Sequence, residues 1–461
     1  MEQGLITVLL PLTAIIVSAR AASVLARKAG QPGVCGEMAA GFILGPSLFG
    51  RFFPHAFRSI FDSSAAHTIA GISQIGVVLL VFLIGMEFQF EHLSSVGRKA
   101  IGISLAGIAV PFGSGLLLAA FMLPVVPHTS SRIAFCLFTA TAISITALPT
   151  LGRMLIEFGL HRRPIGVTAI TAAALDDAIG WTVLAAIHAA VRSNFNAALA
   201  CRIMLETAAF AAILLLMVRP MLRYWAQRVL AREGAQMSFT TLTIIVALVF
   251  GVEMITSRIG IFSVFGAFMM GAVLFDQEPF RRALALRLRD FVYVFFVPVF
   301  FMYTGLRTDM ATMTSPLLWE LFLLVILVAT VAKGGGCAIA ARLVGFSWRE
   351  SASLGALMNT RGLMELVVLN LGYDLGVIPK PVFFMLAVMA LATTYLTAPL
   401  LRRILGIAVE REDLIQYPTV TKAALSTGVI LASRQSGDAA MIEKDLQEAW
   451  SPGSSCEDVE F

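Results

Sequence analysis

The stretch AALDDAIGW (173–181) places two adjacent carboxylates, Asp176 and Asp177, among small and apolar residues. The chain around it is hydrophobic, because 58% of its 461 residues are apolar and only 14% are charged. Soluble domains carry about a quarter charged residues, so this composition predicts an all-α polytopic membrane protein. A charge buried in a membrane costs roughly 2.5–3.5 kcal/mol, and the two carboxylates are therefore predicted to be functional.

Hydropathy and loop charge divide the chain into about 13 predicted transmembrane helices, each near the length that crosses the hydrocarbon core. Their limits are 5–26, 33–50, 67–88, 99–124, 132–155, 164–191, 200–223, 237–256, 258–275, 290–306, 318–343, 350–373 and 381–405. With the N-terminus outside, the inner loops carry roughly twice as many basic residues as the outer loops, as the positive-inside rule requires. The odd number of spans then puts the C-terminus in the cytoplasm.

Residues 1–405 form the predicted transmembrane domain, and the polar segment 406–461 is a predicted cytoplasmic tail that is largely disordered. The compact loops favour a cell (inner) membrane. The net charge of +5 is accounted for by the inner loops, so we predict no nucleic-acid partner. We find no nucleophile–base pair, phosphate loop or metal-ligand spacing, and we predict neither catalysis nor a cofactor.

Two pairs of similar segments predict an internal repeat. GFILGPSLF (41–49) resembles AFMMGAVLF (267–275), and VFLIGMEF (81–88) resembles FFMYTGLRTD (300–309). The copies are seven spans apart. Because each span reverses the direction of the chain and seven is odd, the two halves must insert in opposite orientations. This pattern predicts an inverted repeat; the alternative is chance similarity between small and apolar helices.

Lys333 lies within ATVAKGGGCAIAA, deep in a predicted span, where an ammonium group needs a carboxylate partner. Asp176 or Asp177 is the expected counter-charge. Adjacent helical residues point about 100° apart, so one carboxylate can meet a partner helix while the other faces a cavity. The three glycines after Lys333 would let another helix approach closely. The alternative is a static ion pair that only fixes helix packing.

Polar residues also occur at membrane depth in TATAISITALPT (139–150) and MNTRGLMELVVLN (358–370). Such segments favour discontinuous helices that line a cavity. Arg361 and Glu365, spaced i, i+4, can neutralise each other. For a hydroxyl such as that of Thr141, a bond back to its own helix is the competing interpretation.

Four other charged residues lie near the predicted membrane ends. Arg153 and Glu157, again spaced i, i+4, are expected to form a surface pair. Glu37 is expected to be a structural or entrance residue, and Glu253 has no predicted role.

Six motifs, taken in order, resemble the monovalent cation:proton antiporter 2 family. They are GEMAAGFILGPSLFG, IGVVLLVFLIGMEF, ATAISITALPTLGRML, AALDDAIGW, the AKGGG lysine and NTRGLMELVVLNLG, all between residues 5 and 405. The resemblance implies a sodium/proton antiporter-like fold in which the helices around 139–150 and 358–370 are discontinuous and cross. It also implies a core that moves like an elevator against a dimerisation domain, and hence a homodimer in membrane lipid that exchanges Na⁺ or K⁺ for H⁺.

By the same resemblance, Asp177 is the carboxylate that binds the monovalent cation and the proton. Asp176 is the partner of Lys333, and oxygens near Thr141 and Ser144 are auxiliary ligands. These assignments give the two carboxylates of AALDDAIGW separate roles.

The resemblance further implies a charged cluster on the crossed helices, formed by Asn359, Arg361 and Glu365. This chain has RGLME (361–365) where many bacterial members have RGE. Two adjacent Asp residues are typical of electrogenic sodium–proton exchangers, whereas the NTRGLMELVVLN-like stretch is shared with potassium–proton relatives. We predict that the transported cation is sodium, with potassium as the next candidate.

Three alternatives stay open at this point. The same scaffold could export a larger or organic cation or a metabolite, and pocket volume cannot be read from the sequence. A channel would pass current without a pH gradient. A membrane sensor would bind ions without turnover and use the tail as its output.

Overall fold

The structure is a computed structural model that describes residues 2–61, 63–87, 92–126, 131–161, 163–193, 195–233, 237–260, 264–274 and 276–406. Within these residues the protein is helical and contains no strand. The chain divides after residue 407. The segment 408–461, which makes up nearly all of the predicted tail, lies outside the described residues.

The helices follow one another with short connections. In chain order they are α1 (Glu2–Lys28), α2 (Gly33–Leu44), α3 (Phe49–Phe52), α4 (Pro54–Ile60), α5 (Ser63–Glu87), α6 (His92–Met122), α7 (Arg132–Ser144), α8 (Leu148–Glu157), α9 (Pro164–Arg192), α10 (Ala197–Ile213), α11 (Arg219–Glu233), α12 (Phe239–Ile259), α13 (Val264–Ala272), α14 (Glu278–Phe291), α15 (Val297–Arg307), α16 (Pro316–Thr330), α17 (Gly336–Leu343), α18 (Trp348–Met358), α19 (Leu363–Asp374) and α20 (Lys380–Leu405). Short π-helical segments join α10 to α11 (Leu214–Val218), α14 to α15 (Val292–Phe296) and α16 to α17 (Val331–Gly335).

Capping residues fix several of these boundaries. Ser347 and Glu350 form a capping box at the start of α18, in which each side chain accepts a hydrogen bond from the other residue's backbone N–H. Ser238 caps α12 at its N-terminus, and Gly260, with φ +87°, ends that helix in the left-handed conformation that glycine adopts without strain.

The predicted membrane architecture is confirmed. Ten helices, counting adjoining segments together, are long and apolar enough to cross a membrane within the described residues. The other predicted spans, 258–275, 290–306 and 350–373, contain shorter helices, namely α13, α15 and the pair α18 and α19. The protein is therefore a multi-pass helical membrane protein.

Helix contacts sort the membrane helices into two groups. The panel bundle consists of α1, α2, α5, α12, α13 and α15, and its main contacts are α1–α2, α2–α15, α5–α13, α5–α15 and α12–α13. The core bundle consists of α6–α9 and α16–α20, held together by contacts such as α6–α7, α6–α9, α17–α18 and α18–α20. The helix α10 contacts both α9 of the core bundle and α12 of the panel bundle.

The packing confirms the inverted repeat. In one half α2 packs on α15, and in the other α13, which carries the copy of the α2 motif, packs on α5, which carries the copy of the α15 motif. Both crossings need glycine at the position that the motifs 41–49 and 267–275 share, because a Cβ atom at Gly45 would overlap the Gly305 carbonyl and one at Gly271 would overlap the Phe82 carbonyl. The matched glycines thus make the same close contact twice.

Candidate functional site

Two membrane helices of the core bundle are interrupted by short unwound segments, which we call breaks, and the two breaks contact each other. The first break separates α7 from α8 and the second separates α18 from α19. Across them the Ala147 backbone N–H donates to the Thr360 carbonyl at 3.1 Å, and the Thr146 hydroxyl lies 2.9 Å from the Met358 carbonyl oxygen. The crossed discontinuous helices predicted from the two polar segments are therefore present.

Local sequence explains the breaks. Pro149, in the first turn of α8, is pre-organised to start a helix there. At the second break Gly362 precedes α19, and a Cβ atom at this position would overlap the Thr150 hydroxyl. Only a residue without a side chain lets the two broken helices approach so closely.

Two buried cationic side chains donate hydrogen bonds to the last carbonyls of α7. The Arg361 guanidinium donates to the carbonyls of Ala142, at 2.7 Å, and Ile143, and the Lys333 ammonium donates to the Ser144 carbonyl at 2.6 Å. The last carbonyls of a helix have no partner within it and carry its negative dipole end. The two positive side chains thus satisfy a helix end that would otherwise be unsatisfied inside the membrane.

Lys333 uses all of its hydrogen-bonding capacity. Its ammonium has three donors, and Nζ lies 2.7 Å from the Gly107 carbonyl, 2.6 Å from the Ser144 carbonyl and 2.6 Å from Asp176 Oδ2. The side chain is fully buried and lies in the π-helical segment Val331–Gly335. The expected close helix approach occurs here, since a Cβ atom at Gly355 of α18 would overlap the Gly334 carbonyl.

Asp176 is bound on both carboxylate oxygens. Ser104 of α6 donates to Oδ1 at 2.6 Å, while Lys333 and Thr146 contact Oδ2 at 2.6 and 2.9 Å. Thr146 has a single hydroxyl proton, which it shares between this carboxylate and the Met358 carbonyl. Asp176 therefore links α6, α9, the first break and the π-helical segment of the lysine.

Asp177 lies on a different face of α9. It follows Ile170 by seven residues and precedes His188 by eleven, so the three side chains project within about 20° of one another. Ile170 lines one cavity and His188 lines a second. Asp177 itself is fully buried, and it occupies the stretch of this helix face between the two cavities.

The two cavities open between the core and panel bundles. The first, about 530 Å³, lies between α5, α8, α9 and α14; the second, about 510 Å³, lies between α5, α9, α12, α15 and α19. The charge bias of the loops puts the first at the predicted cytoplasmic end and the second at the predicted outer end. Two separate cavities thus lie along one face of α9.

The predicted auxiliary ligands are buried in α7. The Thr141 hydroxyl donates to the Leu137 carbonyl of its own helix at 2.7 Å, and the Ser144 hydroxyl donates to the Thr141 carbonyl at 2.9 Å. Both hydroxyl oxygens keep acceptor capacity after these bonds. It is the backbone carbonyl of Ser144, not its hydroxyl, that contacts Lys333.

The crossed-helix cluster is also buried, although its members contact different groups. Glu365 Oε2 lies 3.5 Å from Arg361 Nη1, at the limit of a hydrogen bond, because the guanidinium is turned toward the α7 carbonyls. Asn359 ends α18 and is 2% exposed. Thr394 of α20 accepts from the Arg361 backbone N–H at 2.9 Å and fixes the backbone at the second break.

One expectation was wrong: Arg153 does not pair with Glu157. Its guanidinium instead forms a bidentate ion pair with Glu37 of α2, with Nη1–Oε2 at 3.1 Å and Nη2–Oε1 at 3.0 Å. The i, i+4 spacing permitted a local pair, but the neighbouring panel helix offered a carboxylate in a better position for two parallel bonds.

The sequence did not single out Ser104, Gly107 or Thr394. Ser104 and Gly107 lie in a span with no other polar cluster at that depth, so hydropathy gave no signal for them. Thr146 is one of the hydroxyl residues in the segment 139–150. From the sequence alone, a bond of its hydroxyl to its own helix is as plausible as the contact with Asp176 that the structure shows.

Comparison with known proteins agrees with this architecture. The family profile "Sodium/hydrogen exchanger, transmembrane" matches residues 12–405. The Na(+)/H(+) antiporter NhaS4 of Synechocystis sp. is 36% identical over 87% of this chain and 97% of its own length. Cation/H(+) antiporter 18 of Arabidopsis thaliana is 35% identical over 85% of this chain, which spans only 48% of that relative.

The solved structure of the sodium proton antiporter MjNhaP1 from Methanocaldococcus jannaschii has the same fold. The TM-score is 0.63 at 14% identity, and the match covers 87% of this chain and 96% of that one. The motif resemblance, the family profile and the crossed broken helices agree, and the chain belongs to the transmembrane sodium/hydrogen exchanger family of cation:proton antiporters.

Proposed function

We propose that this protein is a secondary active antiporter that exchanges a monovalent cation, sodium first and potassium next, for protons, with Asp177 as the shared binding group. The position of Asp177 carries this proposal: it lies on the one face of α9 that borders both cavities. A carboxylate can hold a proton or a hard monovalent cation, so the two compete. Access from alternate sides turns that competition into exchange.

Asp176 supports the proposal by being committed elsewhere. Both of its oxygens accept hydrogen bonds from Ser104, Thr146 and Lys333. A carboxylate held in this way is a structural counter-charge for the lysine. Asp177, on the face of α9 that borders both cavities, is then the residue of the pair that faces the transport path.

The charge carried per cycle would depend on Lys333. In the described arrangement its ammonium is bound to Asp176 and two carbonyls. If cation binding displaces the lysine and its proton leaves, two protons move per cation and exchange is electrogenic. The carbonyl and hydroxyl oxygens of Thr141 and Ser144 would then be available as auxiliary ligands for the cation.

The movement that alternates access is assigned to the core bundle sliding against the panel bundle. Both cavities lie between these bundles, so a shift of one bundle would open one cavity and close the other. The panel bundle would hold the dimer interface of a homodimer embedded in lipid. We place the N-terminus outside and the C-terminus in the cytoplasm of a cell (inner) membrane, because of the loop charge bias.

Proton flux in proteoliposomes tests the proposal. Vesicles with an acidic lumen and a pH-sensitive dye receive sodium, potassium or lithium, with wild type beside Asp177→Asn. We expect cation-triggered alkalinisation in the wild type and its loss in Asp177→Asn. The control Glu206→Gln alters an exposed i, i+4 pair on α10 and should transport normally.

Two results would contradict the proposal. Silence of the wild type with all three cations would favour an organic substrate or a sensor. Normal exchange by a folded Asp177→Asn would remove Asp177 from the site, and equal elution volumes in size-exclusion chromatography would show that the variant is folded.

A further inference from the structure

The guanidinium of Arg307, at the end of α15, is held by four groups that suit a cation. Its Nη2 lies 2.7 Å from Asp374 Oδ1, and its Nη1 donates to Asn370 Oδ1 at 3.1 Å. Its Cζ atom lies 4.1 Å from the centroid of the Tyr303 ring and 5.2 Å from that of Tyr373, within the distance of about 6 Å at which an aromatic face attracts a cation. A carboxylate, an amide oxygen and two aromatic faces thus surround one positive charge.

The amide of Asn370 is oriented by its neighbours. Its Nδ2 donates to Thr304 Oγ1 at 2.9 Å and to the Leu366 carbonyl at 2.8 Å, which uses both of its donors. The Thr304 hydroxyl donates its own proton to the Phe300 carbonyl at 3.1 Å, so its oxygen is the acceptor in the bond with Asn370. This network holds the amide oxygen toward Arg307 and fixes an acceptor at the place where the positive charge sits.

The groups around the guanidinium divide between the two bundles. Asn370, Tyr373 and Asp374 are spaced i, i+3 and i+4 on α19 of the core bundle, so they share one helix face. Arg307 and Tyr303 both belong to α15 of the panel bundle. A shift of the core bundle against the panel bundle would carry the three α19 residues away together and separate them from the guanidinium. The α19 face would then present its carboxylate and amide oxygen to the cavity.

This face of α19 borders the second cavity. Asn370 and Asp374 line that cavity, and the Asp374 side chain is 47% exposed, so solvent and dissolved ions can reach it. His188 lines the same cavity and lies on the α9 face that carries the fully buried Asp177. A cation that enters from this end therefore reaches the α19 face before it reaches Asp177.

We propose that Asn370, Tyr373 and Asp374 form an entry site for the transported monovalent cation, and that Arg307 fills this site as a tethered cation in the described arrangement. This inference rests on the proposed function. Carboxylate and carbonyl oxygens are the groups that line cation pathways in membranes. A tethered group competes at an effective concentration on the order of millimolar, so a free cation binds here only when Arg307 withdraws.

An ion pair that only holds two helices together does not need these additional groups. The pair between Arg153 and Glu37 shows the simpler arrangement, in which both guanidinium nitrogens contact one carboxylate. Arg307 instead divides its nitrogens between two ligands of a single helix, Asp374 and Asn370. The guanidinium thus occupies a site whose ligands stay together when it leaves.

Binding to the vacated site is tested without transport. Purified Arg307→Ala is titrated with methylguanidinium, and its Tm is followed. We expect methylguanidinium to restore much of the Tm that this variant loses, because a ligand that binds only the folded state stabilises it. Methylurea, an uncharged analogue of similar shape, should restore nothing at the same concentration. Adding Asp374→Asn to Arg307→Ala should abolish the effect of methylguanidinium.

A matched control comes from Arg202 on α10, which pairs with Glu206 at 2.8 Å. Arg202→Ala also vacates a place beside a carboxylate, and methylguanidinium should not raise its Tm. Equal stabilisation of Arg202→Ala and Arg307→Ala would overturn the proposed site, and so would the absence of any stabilisation of Arg307→Ala. Neither result depends on whether the protein exchanges cations for protons.

Transport separates an entry site from a simple contact between bundles. In vesicles oriented with the second cavity toward added sodium, loss of a simple contact would shift the apparent KM in the same direction in Arg307→Ala and Asp374→Asn. For an entry site, Arg307→Ala should lower this KM several-fold because a competitor is removed. Asp374→Asn should raise it several-fold because a ligand is removed.

Methylguanidinium should also raise the KM of Arg307→Ala for sodium without changing its kcat, as a competitor for the same site does. Shifts of the KM in one direction in both variants would contradict the entry site. No exchange by the wild type would contradict the proposed function instead, and the methylguanidinium titration would still decide whether the site exists.

Discussion

Arg153 and Glu37 form a two-pronged ion pair that joins α8 of the core bundle to α2 of the panel bundle. The two N–O distances are 3.0 and 3.1 Å, and the side chains are only 15% and 11% exposed. The guanidinium also lies over the Tyr293 ring at 5.8 Å. Movement of the core bundle along the panel bundle must break this pair, which we call the inner clasp.

A second inter-bundle pair lies at the opposite end. Arg307 of α15 contacts Asp374 of α19 at 2.7 Å and donates to Asn370 Oδ1 at 3.1 Å, while its guanidinium lies over the Tyr303 ring at 4.1 Å. We call this the outer clasp. Both clasps are closed in the structure, which agrees with the complete burial of Asp177 between them.

The inner clasp should contribute measurable coupling energy. A pair that is largely buried loses about 1–3 kcal/mol when one partner is removed, less than a fully buried pair because some water reaches it. We expect Glu37→Gln and Arg153→Gln each to lower the Tm, and the double variant to be less destabilised than the sum of the two. Thermal unfolding in detergent measures this cycle. Strict additivity would mean that the pair makes no net contribution.

The two clasps should bias access in opposite directions. Glu37→Gln should expose the first cavity and Asp374→Asn the second. Single cysteines replacing the buried Thr171 and Ser73 report on the first and second cavity respectively. In a background without native cysteines, a membrane-impermeant thiol reagent should label each reporter several-fold faster only when the clasp at its own end is broken.

Equal acceleration of both reporters by one variant would mean general loosening rather than a directional shift. Unchanged labelling by both variants would show that the clasps do not limit access.

Asp176→Asn should damage stability more than Asp177→Asn does. It removes the carboxylate 2.6 Å from the Lys333 ammonium, and a buried charge left without its partner destabilises by about 3–5 kcal/mol. Adding Lys333→Met should restore much of the Tm. We also expect exchange by Asp176→Asn to become electroneutral, measured as loss of its response to membrane potential; a retained voltage response would contradict the role given to Lys333.

Thr146→Val and Thr141→Val separate a structural hydroxyl from a ligand. The Thr146 hydroxyl hydrogen-bonds to Asp176 and to the Met358 carbonyl at the second break. Its loss should therefore destabilise the folded protein by about 1–3 kcal/mol. Among the described residues, the Thr141 hydroxyl bonds only to the Leu137 carbonyl of its own helix, and its loss should cost about 0.5–1 kcal/mol. If Thr141 is an auxiliary ligand, Thr141→Val raises the KM for the cation; an unchanged KM with full activity would exclude it.

Much of the fold could be predicted because the relevant signals are local in the chain. Hydropathy located the spans, and the matched glycines at 45 and 271 identified the repeat that the packing confirms. The polar segments 139–150 and 358–370 located the breaks; within them Pro149 has a fixed φ and no backbone N–H, and Gly362 can adopt conformations that other residues avoid. The short buried α13 was predicted as a span, although its nine residues fall below the length that crosses a membrane unaided.

The sequence by itself determined that this chain is a multi-pass membrane protein with two broken helices and a buried pair of carboxylates facing different directions. Only the tertiary structure decided the partners. Lys333 and Asp176 are 157 residues apart in the sequence, and Arg153 and Glu37 are 116 apart. Helical periodicity predicts contacts between near neighbours in the chain and carries no information on pairs at such separations. A charge buried in a membrane must find a partner, and the crossing of the broken helices fixed which partner lay within reach.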